Sequence, residues 1–422
     1  MNAPSTPQAA AGTRWLVLLL VSFAMAGNYY VFDALNPVGP LLEAELGFTQ
    51  AQIGLLDTAY NIAALLVLLA GGIVIDRAGT KRAIVFFGIV AAIGAAIMAL
   101  APGFGGMRIG RFVLGLGSEP LIVAVTTALA KWFKGRELSF AMGLNLTLSR
   151  LGSFAADTSR SWAPGLFTSW QPPLLLAAGV GAACVAGGVA YWVLENRAER
   201  RHSLSASGAA DRLVWSDIAR FSVGYWWVVG LCVTFYSSVF PFRRFANLFL
   251  SDARDLSPEA AGQLNGLLPL TAMVATPLFG LLADRIGRRG LLMTLGSITL
   301  LPAFLLLLQS DIPPQLPVTL IGIAFSLIPA VMWPAVAYLV DEARLGTAYA
   351  LMTLCQQVGW AIVAWAVGRL NDVYSASSTN PEGYAPGMWL FSALSLVGIV
   401  CAWQLRLFER RSTDARAAGE HA

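Results

Sequence analysis

The sequence predicts an all-α membrane protein of twelve transmembrane helices, arranged as two six-helix bundles that are pseudo-repeats of one another. Three observations predict it. Of 422 residues, 57% are hydrophobic and 12% charged, against roughly 25% charged in soluble domains. Stretches near the ~20 apolar residues that cross a bilayer recur along the whole chain. One string occurs twice, as GGIVIDRAGTKR from Gly71 and GLLADRIGRR from Gly280. Each copy joins one long apolar stretch to the next, the pattern of a transporter built from repeats.

The first span, 14–40, follows Arg14; it is too long for a signal-peptide core and Gly27 to Pro40 offers no cleavage site, so it is expected to be retained. Span two, 50–75, ends at the first cationic loop, and span three, 83–101, is uniformly apolar. Span four, 106–131, holds GRFVLGLGSEPLIVA; span five, 138–165, holds GLNLTLSRLGS; span six is 172–194. The polar stretch Glu195 to Arg220, softest at SLSASGAAD, divides the chain six and six as a flexible linker. Span seven, 222–250, contains FYSSVFPFRRF, and span eight, 259–283, ends at the second cationic loop. Spans nine to twelve follow at 290–309, 315–341, 347–371 and 385–408. The expected organisation is an N-terminal bundle over 1–194, a cytoplasmic linker over 195–220, a C-terminal bundle over 221–410 and a cytoplasmic tail over 411–422.

Cations set the orientation. About 20 of the 28 Lys and Arg fall in the N-terminal segment, the loops after even-numbered spans and the tail, which places both termini in the cytoplasm under the positive-inside rule. The formal net charge of +4 is this topological bias and implies no nucleic-acid partner; the lipid bilayer is the partner of the apolar surface. The two histidines, His202 and His421, lie in the linker and the tail. Cys184, Cys232, Cys355 and Cys401 are scattered singly within spans, without ligand spacing. No GxxxxGK[ST] loop is present, so ATP is not the expected energy source. Neither a metal site nor a cofactor is expected. The sequon Asn145-Leu146-Thr147 is buried in span five, out of reach of glycosylation.

Ionisable groups at mid-bilayer depth are costly and usually functional. Glu119 lies about 13 residues into span four, ~19 Å deep, and Arg150 about 12 residues into span five, ~18 Å. Two antiparallel neighbours thus carry opposite charges at similar depth. The pair is either a structural salt bridge or an open site in which the carboxylate takes an amine and the planar guanidinium takes a carboxylate. Gly115, Gly117 and Gly152 permit close helix approach, and Pro120 is expected to disturb the helix beside Glu119. Asp157 shares a face with Arg150 and is expected to pair locally with Arg160. Asp33, about 19 residues into span one or ~28 Å, belongs near the outer mouth. Arg243 and Arg244 either sit at the interface or line the cavity. Asn28, Tyr29, Tyr30, Tyr60, Asn145, Tyr236, Trp333 and Gln356 are further candidates for the cavity wall, with Asn61, Asn265, Tyr338 and Gln357 beside them.

The two DR-G-K/R loops resemble the signature of the major facilitator superfamily, and the resemblance covers nearly the whole chain. GRFVLGLGSEPLIVA, KWFKGRELSFAMGLNLTLSRLGS, WPAVAYLVDEARLGTAYALM and FYSSVFPF, with Asn28-Tyr29-Tyr30 and Asp33, are similar to its lysosomal dipeptide transporters. The resemblance implies that Glu119 receives a peptide's amino terminus and Arg150 its carboxylate, by facilitated diffusion without an obligatory ion. An extended two-residue peptide reaches at most about 7 Å, a workable span between adjacent helices. The Arg243-Arg244 pair and Asp157 depart from that family's pattern. The chain shows no acidic dileucine-type address before span one and no lumenal sequon. The expected location is therefore a bacterial inner membrane, without the family's accessory subunit. Asp76, Arg77, Lys81, Asp284, Arg285 and Arg289 are expected to form inter-helix ion pairs that latch the cytoplasmic end while two bundles rock in alternating access.

The alternative transporter reading is proton-coupled movement of a small organic anion, with Glu119 titrating and Arg150 binding the anion. A membrane enzyme would need His, a metal cluster or an activated nucleophile within the spans, and a receptor would need a large output module. Neither is visible, and function has to be read from the site.

Overall fold

A computed structural model describes residues 11–133, 137–199, 220–309, 311–341 and 344–419. Among them are twelve helices of nineteen residues or more, and no β-strand. The first half has α1 (Ala11–Asp33), continued by α2 (Leu35–Leu46), then α3 (Gln50–Ala78), α4 (Thr80–Leu100), α5 (Phe104–Phe133), α6 (Leu138–Asp157), the four-residue α7 (Ser159–Trp162) and α8 (Gln171–Glu199). The second half has α9 (Val223–Arg254), α10 (Pro258–Ile286), α11 (Arg289–Leu307), α12 (Gln315–Leu339), α13 (Leu345–Val373) and α14 (Ala385–Gly419). Among the described residues, ten spans pass both length and hydropathy requirements for crossing a membrane. α6 is long enough but carries Asn145, Ser149, Arg150 and Asp157, the polar groups that make it interesting.

The repeat is visible in the packing. In the first half α4 packs on α5 and α8, α3 on α5, and α1 on α6 and α8. The second half repeats each pairing: α11 on α12 and α14, α10 on α12, and α9 on α13 and α14. The halves meet along two symmetry-related crossings, α3 with α13 and α6 with α10. The duplicated loops share a backbone device as well. Gly79 and Gly287 both adopt positive φ, 77° and 66°, a conformation glycine makes at no steric cost.

Three expectations about single elements are corrected. Span one is not one straight helix: the chain breaks at Ala34, and α2 runs six residues past Pro40 to a left-handed Gly47 cap. The fifth span ends at Asp157, eight residues short of 165, and turns through α7 and a short 3-10 segment at Pro164–Leu166. Helix α5 runs on through Pro120 without interruption. Most of the linker 195–220 and both histidines lie outside the described residues.

The bundle has a terminal end, where α1 begins and α14 finishes, and a distal end opposite. At the distal end the crossings are tight enough that backbones touch. A Cβ on Gly54 would lie 2.2 Å from the Ala364 carbonyl oxygen, and one on Gly368 would lie 2.2 Å from that of Gln50. Thr58 donates to the Ala361 carbonyl at 2.8 Å, and the Asp372 carboxylate caps the start of α3 by accepting from the Gln50 and Ala51 amides at 2.8 and 2.9 Å. At the α6–α10 crossing a Cβ on Gly262 would lie 2.6 Å from the Asp157 carbonyl.

Candidate functional site

Close packing brings the two mid-span charges to the interior. Gly152 lets α6 meet α1 so closely that a Cβ there would stand 1.9 Å from the Ala26 carbonyl. Tyr29, three residues on from Ala26 and so on the same face of α1, lies over Arg150, with 5.5 Å from guanidinium carbon to ring centroid. From the other half Phe325 of α12 covers the same guanidinium at 4.9 Å. Arg150 thus lies over a ring from each half, where a cation meets the π-cloud. Its edge is different: Nη1 is buried without a hydrogen-bond partner, and Arg150 forms no ion pair among the described residues. A guanidinium with an unbonded Nη1 has donor capacity left for an incoming carboxylate.

Glu119 is held separately. Gly115 of α5 packs against the Tyr60 backbone, where a Cβ would be 2.6 Å from the carbonyl oxygen. One turn further on, the Tyr60 hydroxyl donates to Glu119 Oε1 at 2.9 Å. Gln357 of α13 reaches the same carboxylate from the opposite half. Tyr29 lies within electrostatic reach of both Glu119 and Arg150. The acid and the base therefore flank one region, each touched by both halves, without neutralising each other.

The remaining cavity candidates divide. Tyr236 accepts from Trp333 Nε1 at 3.0 Å, and Trp333 stacks on Tyr349 at 6.0 Å, an aromatic wall in the second half. Asn28 accepts from Ser118 at 2.7 Å, and Asn145 accepts from Ser22 at 2.9 Å while donating to the Met25 sulfur, so both amides are engaged in helix packing. Tyr30 turns from Tyr29 toward Ala156 and Ala177, with Trp162 at 6.4 Å. Gln356 accepts from the Cys232 thiol at 3.6 Å.

The distal end holds a charge lattice that the sequence reading missed in part. Asp157 pairs with Arg243 across the halves at 2.7 Å, correcting the expected local pair with Arg160, which reaches Glu259 at 3.3 Å instead. Arg243 also lies 3.4 Å from Asp33. Arg244 is bidentate on Asp57 at 2.7 and 2.9 Å and donates to Asn36 at 2.5 Å. Arg111 holds Asp57 from its own half at 2.9 Å and donates to the Phe32 carbonyl. The three aspartates and three arginines are each no more than 3% exposed, and their formal charges cancel. Arg243 and Arg244 are neither interfacial nor free to meet a solute in this state. Asp57 and Arg111 escaped notice because each lies only seven residues inside its helix, a depth that snorkelling arginines and interfacial acids commonly occupy.

At the terminal end Asp284 and Arg289 pair with each other at 3.4 Å, within one half. Arg289 also lies over the Tyr338 ring at 3.8 Å. Lys81 donates to Asn196 at 2.7 Å and Arg285 is exposed. The side chains of Asp76 and Arg77 lie outside the described residues.

The profile of the Major Facilitator Superfamily matches residues 19–364 and 244–422. The lysosomal dipeptide transporter MFSD1 of Gallus gallus is 31% identical over 407 residues, 92% of this chain and 84% of that protein. A shorter match, 29% identical over 39% of this chain and 48% of the relative, is to the galacturonate transporter of Dickeya chrysanthemi. Among solved structures, a point mutant of the nucleoside transporter NupG superposes with a TM-score of 0.75 at 14% identity, over 92% of this chain and 99% of that one, a likeness of fold.

Proposed function

The chain belongs to the Major Facilitator Superfamily and is a multi-pass membrane transporter; on that footing we propose that its substrates are small zwitterionic peptides, dipeptides above all, moved by alternating access as a uniporter. Arg150 receives the peptide carboxylate and Glu119, oriented by Tyr60 and Gln357, receives its amino terminus. The observation that carries this reading is the guanidinium of Arg150: packed over a ring from each half, with Nη1 buried and unbonded, and without an ion-pair partner among the described residues. A structural salt bridge would have closed on itself. The 31% identity to a dipeptide transporter supports the same substrate class.

The termini and linker are on the cytoplasmic side of an inner membrane, and the protein works without an accessory subunit. The sealed distal end then faces outward, so the present arrangement is one closed to the outside. Asp76, Arg77, Lys81, Asp284, Arg285 and Arg289 latch the opposite state, in which the terminal end closes. Tyr29 and the wall of Tyr236 and Trp333 line the route of the peptide side chains.

A thermal-shift screen of the purified protein against dipeptides, single amino acids and organic acids tests this, followed by uptake into proteoliposomes with and without a pH gradient. Stabilisation by dipeptides and gradient-independent uptake are expected. Stabilisation by monocarboxylates alone, with uptake that collapses without a gradient, would replace it with proton-coupled anion transport.

A further inference from the structure

We propose that Asp33 and Asp157 form a proton-binding site that fills when the distal end opens and empties when it closes. The proposal rests on the separation of the halves in alternating access. Two bridges join the carboxylates. Arg243 Nη2 lies 2.7 Å from Asp157 Oδ2 and 3.4 Å from Asp33 Oδ2. Asn36 Nδ2 donates to Asp157 Oδ1 at 2.7 Å and, more weakly, to Asp33 Oδ1 at 3.4 Å. Their origins differ: Asn36 belongs to the same half as both acids, whereas Arg243 belongs to the other. Separation removes the cation and leaves the amide.

What remains is two carboxylates tethered to one amide nitrogen, with Asp33 Oδ2 making no hydrogen bond of its own. Like charges gathered on one amide disfavour double ionisation once their counter-ion leaves, and one shared proton relieves them. The other groups facing the pair do not replace Arg243. Asn265 Nδ2, 3.5 Å from Asp157 Oδ1, departs with the second half, as does Arg244. Arg111 remains but is bound to Asp57. Arg160, the other cation of this half nearby, is seated over the Phe167 ring at 5.3 Å, and Glu259 opposite it departs. Tyr29 is a neutral phenol, and Arg150 beyond it is the substrate's cation.

When the halves close, the Arg243 guanidinium returns and the proton leaves to the side from which it came. No proton crosses the membrane, so the cycle remains a uniport, yet acid on the distal side favours the open state. One proton bound only in the open state changes the ratio of open to closed by up to about tenfold per pH unit.

Hydrogen–deuterium exchange of the full-length protein between about pH 8 and pH 5, corrected for the intrinsic pH dependence of exchange, reads this directly. Segments 30–36, 154–159 and 240–247 are expected to lose protection as the wild type is acidified, while 290–297 at the terminal end does not. Asp33→Asn, a permanently neutral partner, is expected to be more open at pH 8 and flat with pH; Asp157→Asn is the second variant. Distal protection in the wild type that ignores pH, or both variants keeping the wild-type slope, would overturn the proposal. The substrate reading fails separately, if dipeptides neither stabilise the wild type nor enter proteoliposomes while the distal slope persists.

Discussion

Asp157 gives its Oδ2 to Arg243 of the opposite half at 2.7 Å and leaves Arg160, three residues along its own chain, to Glu259 at 3.3 Å. The distal closure is therefore a matched set of buried charges held between two bodies that must part. Removing one member strands its partner in a dry environment. Arg243→Ala is expected to destabilise the closed distal end by about 3–5 kcal/mol, the usual cost of an orphaned buried charge. The double variant Arg243→Ala, Asp157→Ala should be milder than the sum of the singles, because neither charge is left alone. Thermal unfolding of the four proteins measures the cycle, and strict additivity would deny the coupling.

Arg150 carries the substrate assignment most heavily. Arg150→Ala should leave the protein folded in detergent, since no ion pair is lost, but abolish thermal stabilisation by dipeptides. Two charge-assisted hydrogen bonds at roughly 1.5–3 kcal/mol each imply a loss of affinity of about 100-fold or more. Arg150→Lys should recover little, because an ammonium cannot present a planar fork. Undiminished stabilisation in Arg150→Ala would remove the site.

Glu119 separates peptides from simple anions. Glu119→Gln keeps the hydrogen bond from Tyr60 in shape but loses the charge that holds an ammonium group. Affinity for dipeptides should fall steeply while any affinity for monocarboxylates, which need only Arg150, stays within a few-fold. Tyr60→Phe should cost about 1 kcal/mol of peptide affinity, the typical net worth of one hydrogen bond. Binding isotherms for a dipeptide and for its N-acetylated form decide it; equal losses for both would contradict the role of Glu119.

The legible part of the molecule was the part written in local pattern. Apolar runs located the spans, the duplicated DR-G strings revealed the repeat, and the depth of Glu119 and Arg150 singled them out from the lipid-averse background. The distal lattice was only half legible. Arg244 meets Asp57 at 187 residues' separation, and nothing near either residue announces the other. Asn28 and Asn145 show what local pattern leaves out: each polar side chain also ties its helix to a neighbour, through Ser118 and Ser22. The break at Ala34 and the early end of α6 at Asp157 both fall beside an aspartate that meets Arg243, a partner far away in sequence.

Backbone contact at the α3–α13 crossing yields the sharpest mechanical test. A Cβ on Gly54 would meet the Ala364 carbonyl oxygen at 2.2 Å, its carbon at 2.8 Å and the Trp365 Cα at 3.2 Å, all main-chain atoms that cannot rotate away. Gly54→Ala should therefore wedge the halves apart at the distal end while each half keeps its own packing. Gly143→Ala, with nothing within 4 Å of the added carbon, is the control. A cysteine placed at Thr58, whose hydroxyl now reaches the Ala361 carbonyl, should react several-fold faster with a membrane-impermeant maleimide in the Gly54→Ala background, measured above the labelling of the native thiols. Arg150, held by α1 and α12 and so off this crossing, should still bind a carboxylate, whereas exchange across the membrane should slow because the distal end no longer closes. Unchanged labelling with normal transport would mean that this contact is not what seals the protein.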